Sequence, residues 1–146
     1  MKKRLILALV LLVCFLCSCG IKSPANSERE ESVSSSEPSK AVYQKISAEQ
    51  AKSMIDEGKP YILLDVRTDE EFKEKRIDGA ILIPDDEIKT RAETELSDKD
   101  ALILIYCRSG RRSANAAKEM IGMGYTNVYD FGGIIDWPYD TISDSH

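Results

Sequence analysis

From residue 47 onward, the hydrophobic positions of the chain switch repeatedly between helical and strand spacing. Ser47, Ala48, Glu49 and Gln50 form a capping-box sequence, and Ala51, Met54 and Ile55 follow at helical intervals until Gly58, Lys59 and Pro60 end the run. Residues 61–66 are a short apolar strand. A second capping box begins at Thr68 and is completed by Glu71, so the acidic run Asp69, Glu70 and Glu71 reads as a solvated helix start that complements the dipole, with no further role. Residues 80–83 form a second strand, stopped by Pro84, and residues 85–95 a weakly amphipathic helix. The strongest strand is 101–106, apolar throughout, as expected of a parallel strand buried on both faces, and it leads straight into Cys107. Residues 111–123 place Ala114, Ala117, Met120 and Ile121 on one side of a helix that Gly124 closes, and 127–131 supply a further strand. Alternation of this kind predicts an α/β domain with a parallel sheet, whose ligands sit at the carboxyl ends of the strands. Cys107 stands at that edge.

The front of the chain follows a different rule. Lys2, Lys3 and Arg4 precede an uncharged apolar run from residue 5 to residue 18. At ~1.5 Å per residue that run spans only ~21 Å, short of the roughly 30 Å hydrocarbon core, so it reads as a secretory signal rather than a stable membrane-spanning helix. Its end, Leu16, Cys17, Ser18 and Cys19, resembles the lipobox of bacterial lipoproteins, which implies cleavage before Cys19 and lipid attachment to its thiol. From residue 21 to residue 40 seven serines are interspersed with glutamates and almost nothing apolar. Such a segment cannot offset its ordering entropy and is expected to be a flexible tether. The expected organisation is therefore a signal peptide at 1–18, a lipidated tether at 19–40 and one domain at 41–146. A length of 146 residues with 42% hydrophobic and 31% charged residues suits one core, not two. The expected location is extracytoplasmic, anchored to a bacterial cell membrane by lipid.

Charge then removes some functions. Loss of three basic residues and no acids with the signal would take the formal net charge from −5 to −8. That balance argues against nucleic acid as a partner and offers no basic patch to anionic headgroups, so attachment rests on the lipid itself. With Cys14 and Cys17 removed and Cys19 modified, Cys107 is the one free cysteine of the domain and has no internal disulfide partner.

Cys107, Arg108, Ser109, Gly110, Arg111, Arg112 and Ser113 lie between a buried strand and the first turn of a helix. Unpaired N–H groups at a helix start and in a glycine-containing loop favour negative charge, and three guanidinium groups add fixed positive charge. Both stabilise a thiolate near neutral pH without a histidine base. The only histidine is His146, at the terminus, which excludes the cysteine–histidine pairing of papain-like hydrolases and leaves no basis for a zinc site.

At this point the chain resembles the rhodanese-like family over nearly the whole domain. Leu64, Asp65, Val66 and Arg67 with Glu71 and Phe72, then Ile77, Asp78, Gly79 and Ala80 with Ile83 and Pro84, then the Cys107 loop, then Gly132, Gly133 and Trp137 match the family's landmarks in order. Arg76 departs from it, since members commonly carry histidine in that block, and the departure is expected to alter rim polarity. In protein tyrosine phosphatases the phosphate-clamping arginine lies six positions after the cysteine, where this chain has Ser113; Arg112, five positions on, matches the shorter sulfurtransferase loop.

The resemblance implies a fold, a chemistry and a site. The fold is a small parallel β-sheet of about five strands flanked by helices on both faces. The chemistry is sulfur transfer through a Cys107 persulfide, from thiosulfate or a similar small anionic donor to a thiol acceptor or cyanide, with no cofactor. Arg108, Ser109, Gly110, Arg111 and Arg112 are the expected substrate-binding residues, with Arg108 and Arg111 at the pocket rim and Arg112 pairing with a carboxylate. Asp65 and Arg67 are expected to be a structural ion pair, Tyr106 mainly core, Trp137 a packing residue, and Gly79, Gly132 and Gly133 devices for tight turns. Two other readings of the same loop remain open: an oxyanion- or partner-binding module without turnover, and a thiol or sulfur relay in which thiosulfate plays no part.

Overall fold

The computed structural model describes residues 43–144. The signal segment 1–18, Cys19 and the tether 19–40 lie outside the described residues, as does His146. The elements in chain order are β1 Gln44–Lys45, α1 Ala48–Asp56, β2 Ile62–Asp65, α2 Asp69–Glu74, β3 Ile81–Leu82, α3 Ile88–Glu95, β4 Ile103–Cys107, α4 Arg111–Gly122 and β5 Val128–Gly133, followed by a 3-10 turn at Ile134–Asp136. All strand pairs are parallel, and the sheet order is β1-β5-β4-β2-β3. None of the described helices is long and apolar enough to cross a membrane.

Local chemistry explains the element starts. Both capping boxes form: Gln50 N–H donates to Ser47 Oγ at 3.2 Å while Ser47 N–H donates to Gln50 Oε1 at 2.8 Å, and Thr68 and Glu71 repeat the exchange at 3.2 and 3.3 Å. Helix α3 begins three residues later than the pattern suggests, because residues 85–87 form a turn and Glu87 offers no side-chain cap. Helix α4 ends in a Schellman arrangement. Gly124, at φ +95°, donates to the Ile121 carbonyl at 3.0 Å and Tyr125 N–H reaches back to Met120 at 3.1 Å.

Strand β4 occupies the centre and is buried along its whole length. Its alternate side chains divide the core in two. Ile103, Ile105 and Cys107 face α3 and α4, packing with Ile88, Ala92, Ala116, Ala117 and Met120. Leu104 and Tyr106 face the other way, toward Ala48 and Ala51 of α1 and toward Phe131, Ile134 and Trp137. Helices therefore cover both faces. The buried stripe of α4 is Ser113, Ala116, Ala117 and Met120. The expected stripe is thus rotated: Ala114 and Ile121 are only partly covered.

Near its end the β4–β5 ladder changes register. Ile105 is opposite Asp130, but Cys107 is opposite Gly133, so β5 uses one residue more than β4. Gly132 takes up the irregularity at φ +92°, and its N–H donates to the buried Asp130 Oδ1 at 3.0 Å. Gly132 and Gly133 do not make the tight turn that their sequence suggests; they belong instead to a bulge inside β5, and the bulge is what aligns β5 with the cysteine.

Candidate active site

Cys107 is the last residue of β4, only 1% exposed. The chain turns at once. Gly110, at φ +96°, is the N-cap of α4 and has no side chain to satisfy the first turn, so the helix-start N–H groups stay available to the sulfur. Gly110 N–H donates to Cys107 Sγ at 3.1 Å. Burial alone would push the thiol pKa up. The backbone N–H and hydroxyl of Ser113, with the N–H groups of Gly110 and Ser109, outweigh it and hold the thiol below its ordinary value. Among the described residues no histidine or second cysteine stands beside it, and no group of three or more His, Cys, Asp or Glu is arranged to hold a metal.

The loop rests on β5. A methyl group added at Gly133 would lie 2.6 Å from Ser109 Cα, so the loop backbone fits only because that position has no side chain. Ser113 Oγ lies 3.2 Å from the Gly110 carbonyl and 3.3 Å from that of Gly132. Its single proton therefore ties the loop to the bulge when it is not turned to the sulfur.

The three loop arginines divide. Arg108 and Arg111 are exposed. Arg112 turns back and pairs with Glu71 of α2 through two hydrogen bonds of 2.7 and 2.9 Å, and this guanidinium holds the Glu71 carboxyl below the usual range. The carboxylate partner expected for Arg112 is thus Glu71. That corrects the reading of the acidic run as merely solvated, since Glu71 caps α2 and also anchors the Cys107 loop. Ser109 is exposed and contributes its N–H to the thiol.

Surrounding residues brace this edge. Asp65 and Arg67 are 0% and 4% exposed and form a buried ion pair, with Arg67 Nη2 2.6 Å from Asp65 Oδ2. Tyr106 is buried, its hydroxyl accepting from Ile77 N–H at 3.3 Å. Trp137 packs between the rings of Phe131 and Tyr139, at centroid distances of 5.5 and 5.0 Å. Gly79 has φ +78° in the turn before β3. Arg76, where the chain departs from the family pattern, is partly buried. It lies over the Phe72 ring, pairs with Asp144 at 2.7 Å and exchanges backbone hydrogen bonds with Ile142, so it fastens the C-terminal segment.

Sequence reasoning includes Ser113 in the loop and Glu71 among the family's landmarks but assigns neither a role in holding the site, and the structure gives both one. Ser113 shares the helical spacing of Ala116, Ala117 and Met120, so a polar residue at a buried position is a signal that the sequence does carry. Glu71 lies 41 positions from Arg112, and no spacing rule connects them.

Comparison with known proteins gives the following. Residues 47–138 match the family model described as the rhodanese-like domain. The chain is 40% identical over 73 residues to the thiosulfate sulfurtransferase PspE of Escherichia coli, covering 50% of this chain and 70% of that protein. It is 33% identical over 93 residues to a sulfurtransferase of Allochromatium vinosum, covering 63% of this chain and 85% of the other. A solved structure described as a rhodanese with anions from Escherichia coli superposes with a TM-score of 0.54 at 34% identity, covering 57% of this chain and 99% of that one.

Proposed function

Because the chain belongs to the rhodanese-like domain family, we propose that it is a sulfurtransferase whose Cys107 takes a sulfane sulfur from thiosulfate or a similar anion and gives it to a thiol or to cyanide. The observation that carries this reading is the thiol at the end of β4, facing the helix-start donors with Gly110 N–H at 3.1 Å and held below its ordinary pKa.

In the first step the Cys107 thiolate attacks the outer sulfur of thiosulfate. A Cys107 S–S bond forms, the donor's S–S bond breaks, and its electron pair leaves with sulfite. In the second step cyanide or an acceptor thiolate attacks the outer sulfur of the persulfide, and the electron pair of that S–S bond returns to Cys107. The loop N–H groups of Ser109, Gly110 and Ser113 stabilise the anionic sulfur in each state, a fixed arrangement that needs no reorganisation during the reaction. Arg108 and Arg111 attract the dianionic donor and offset the charge on departing sulfite. Ser109 and Gly110 shape the loop, and Arg112 holds it through Glu71. Likeness to two proteins named as sulfurtransferases supports the sulfur chemistry, and likeness to an Escherichia coli rhodanese solved with anions supports an anionic donor.

Thiosulfate-to-cyanide transfer by the full chain, with intact-mass analysis, tests the proposal. Turnover and one added sulfur are expected in the parent, and neither in Cys107→Ser. A folded parent that shows neither would overturn it. The lowered pKa also sets the pH profile. The thiolate persists below the pH at which a free cysteine protonates, so transfer should fall only as pH drops through a midpoint lower than that of free cysteine, and iodoacetamide alkylation of Cys107 should follow the same curve.

The segment at 1–18 and Cys19 extend the proposal to location. A lipid on Cys19 would hold the domain on the outer side of a bacterial cell membrane through a tether at 19–40. The charge and length of the segment and the small residue before Cys19 support this. The mass of the membrane-extracted protein should show a chain that begins at a diacylated Cys19.

A further inference from the structure

The surface beside the cysteine loop sets free guanidinium charge next to an exposed aliphatic side chain. Among the described residues, Arg67, Arg76, Arg91 and Arg112 each hold a carboxylate at 2.6 to 2.7 Å. Arg108 and Arg111, the two that flank the loop of Cys107, hold no carboxylate of the described residues within 4.0 Å and are exposed. Ile135, at 63%, is more exposed than Ile81, Ile142 or Tyr139, the other large hydrophobics on the surface. A single exposed isoleucine is ordinary. Its place is the informative part: Ile135 N–H donates to the Arg108 carbonyl at 3.3 Å, which seats the residue against the one that follows Cys107.

A small inorganic donor needs charge and N–H groups, both of which the loop supplies. An aliphatic side chain contributes nothing to thiosulfate, sulfite or cyanide. Two uncommitted guanidinium groups beside an aliphatic one match a larger acceptor of complementary character. The chain as a whole carries a net charge of −5, so an acidic acceptor would be repelled by the average surface and drawn to a place where two guanidinium groups stand free beside the thiol.

We propose that Arg108, Arg111 and Ile135 form the docking surface for a polypeptide thiol acceptor whose cysteine is flanked by acidic residues and an aliphatic side chain. The inference rests on the sulfur-transfer reading above and names the acceptor class for that same site. The acceptor's thiolate attacks the outer sulfur of the Cys107 persulfide, the S–S bond to Cys107 breaks, its electron pair returns to Cys107, and the acceptor leaves as a persulfide. One negative charge arrives and one departs, so no outside oxidant or reductant is required. During this step the two guanidinium groups hold the acceptor's carboxylates, and Ile135 packs on its aliphatic side chain.

The test uses the full chain loaded with thiosulfate and three acceptors: a synthetic peptide with one cysteine between glutamates and a leucine, the same peptide with lysine for glutamate, and cyanide. The acidic peptide should show a kcat/KM about tenfold above that of the basic one, an advantage that shrinks as salt is added. Ile135→Ser should lower kcat/KM for the acidic peptide about threefold to fivefold while cyanide transfer stays unchanged, and Ile135→Leu should restore it. Equal rates for the two peptides, or an Ile135→Ser variant whose peptide and cyanide rates both match the parent, would overturn the docking surface and leave the sulfurtransferase reading standing. A parent that neither gains sulfur nor turns over cyanide would overturn both.

Discussion

The carboxyl ends of β2 and β4 lie side by side, with Asp65 in register with Tyr106, and each leads from an acidic group to an arginine. At β2 the two charges are committed to each other. Arg67 makes three side-chain hydrogen bonds of 2.6 to 3.0 Å to Asp65, its backbone N–H adds a fourth at 3.0 Å, and both residues are sealed from water. At β4 the acidic group is a thiol served by backbone N–H donors, while Arg108 and Arg111 stand in solvent. Similar ingredients on adjacent strands thus serve opposite ends. One pair is closed and stiffens the sheet edge; the other keeps its charges free for something that arrives.

Breaking the closed pair should cost most. Arg67→Met leaves the Asp65 carboxylate buried without its partner and is expected to lower stability by about 3–5 kcal/mol, read as a shift in the urea midpoint. A parent-like midpoint would mean that water replaces the guanidinium. Next in size is the seat of the open group. Gly133→Ala forces a methyl group into the loop backbone, so stability should fall by about 1–3 kcal/mol and sulfur transfer should fall with it. Loss of stability with full activity would show that the loop need not rest on β5. The smallest effect on folding belongs to Arg111→Gln, expected within about 0.5 kcal/mol of the parent by the same urea assay. Its kcat/KM for thiosulfate should nevertheless drop about tenfold, or ~1.4 kcal/mol in the barrier. A variant that changed stability more than rate would erase the contrast between the two strand ends.

Much of this was legible in the sequence because it is local. Two capping boxes, the apolar run of β4 and the glycine after α4 each decide their own backbone, and the structure follows them. Strand β1 is two exposed polar residues, and no hydrophobic pattern marks it; it exists because β5 has an edge to offer. At the site, Cys107 and its loop are contiguous and could be read together. The Glu71–Arg112 pair and the contact of Gly133 with the loop join separate stretches of chain, and only the folded sheet brings them within reach. Arg76 shows the same limit, since its partners Asp144 and Ile142 lie in a segment with no periodic signal of its own.

The order of the strands has a consequence for biosynthesis. Strand β5 is the last to be made and lies between β1, the first, and β4. Until it inserts, β1 has no neighbour, β4 has an open side, and the loop after Cys107 lacks the surface that Gly132 and Gly133 provide. The five-stranded sheet is therefore complete only after nearly the whole domain has been synthesised, and a chain truncated before Val128 retains at most the β4-β2-β3 part of it. During that interval the loop that carries the N–H donors of Cys107 has no β5 beneath it, because the contact of Gly133 with Ser109 is among the last to form.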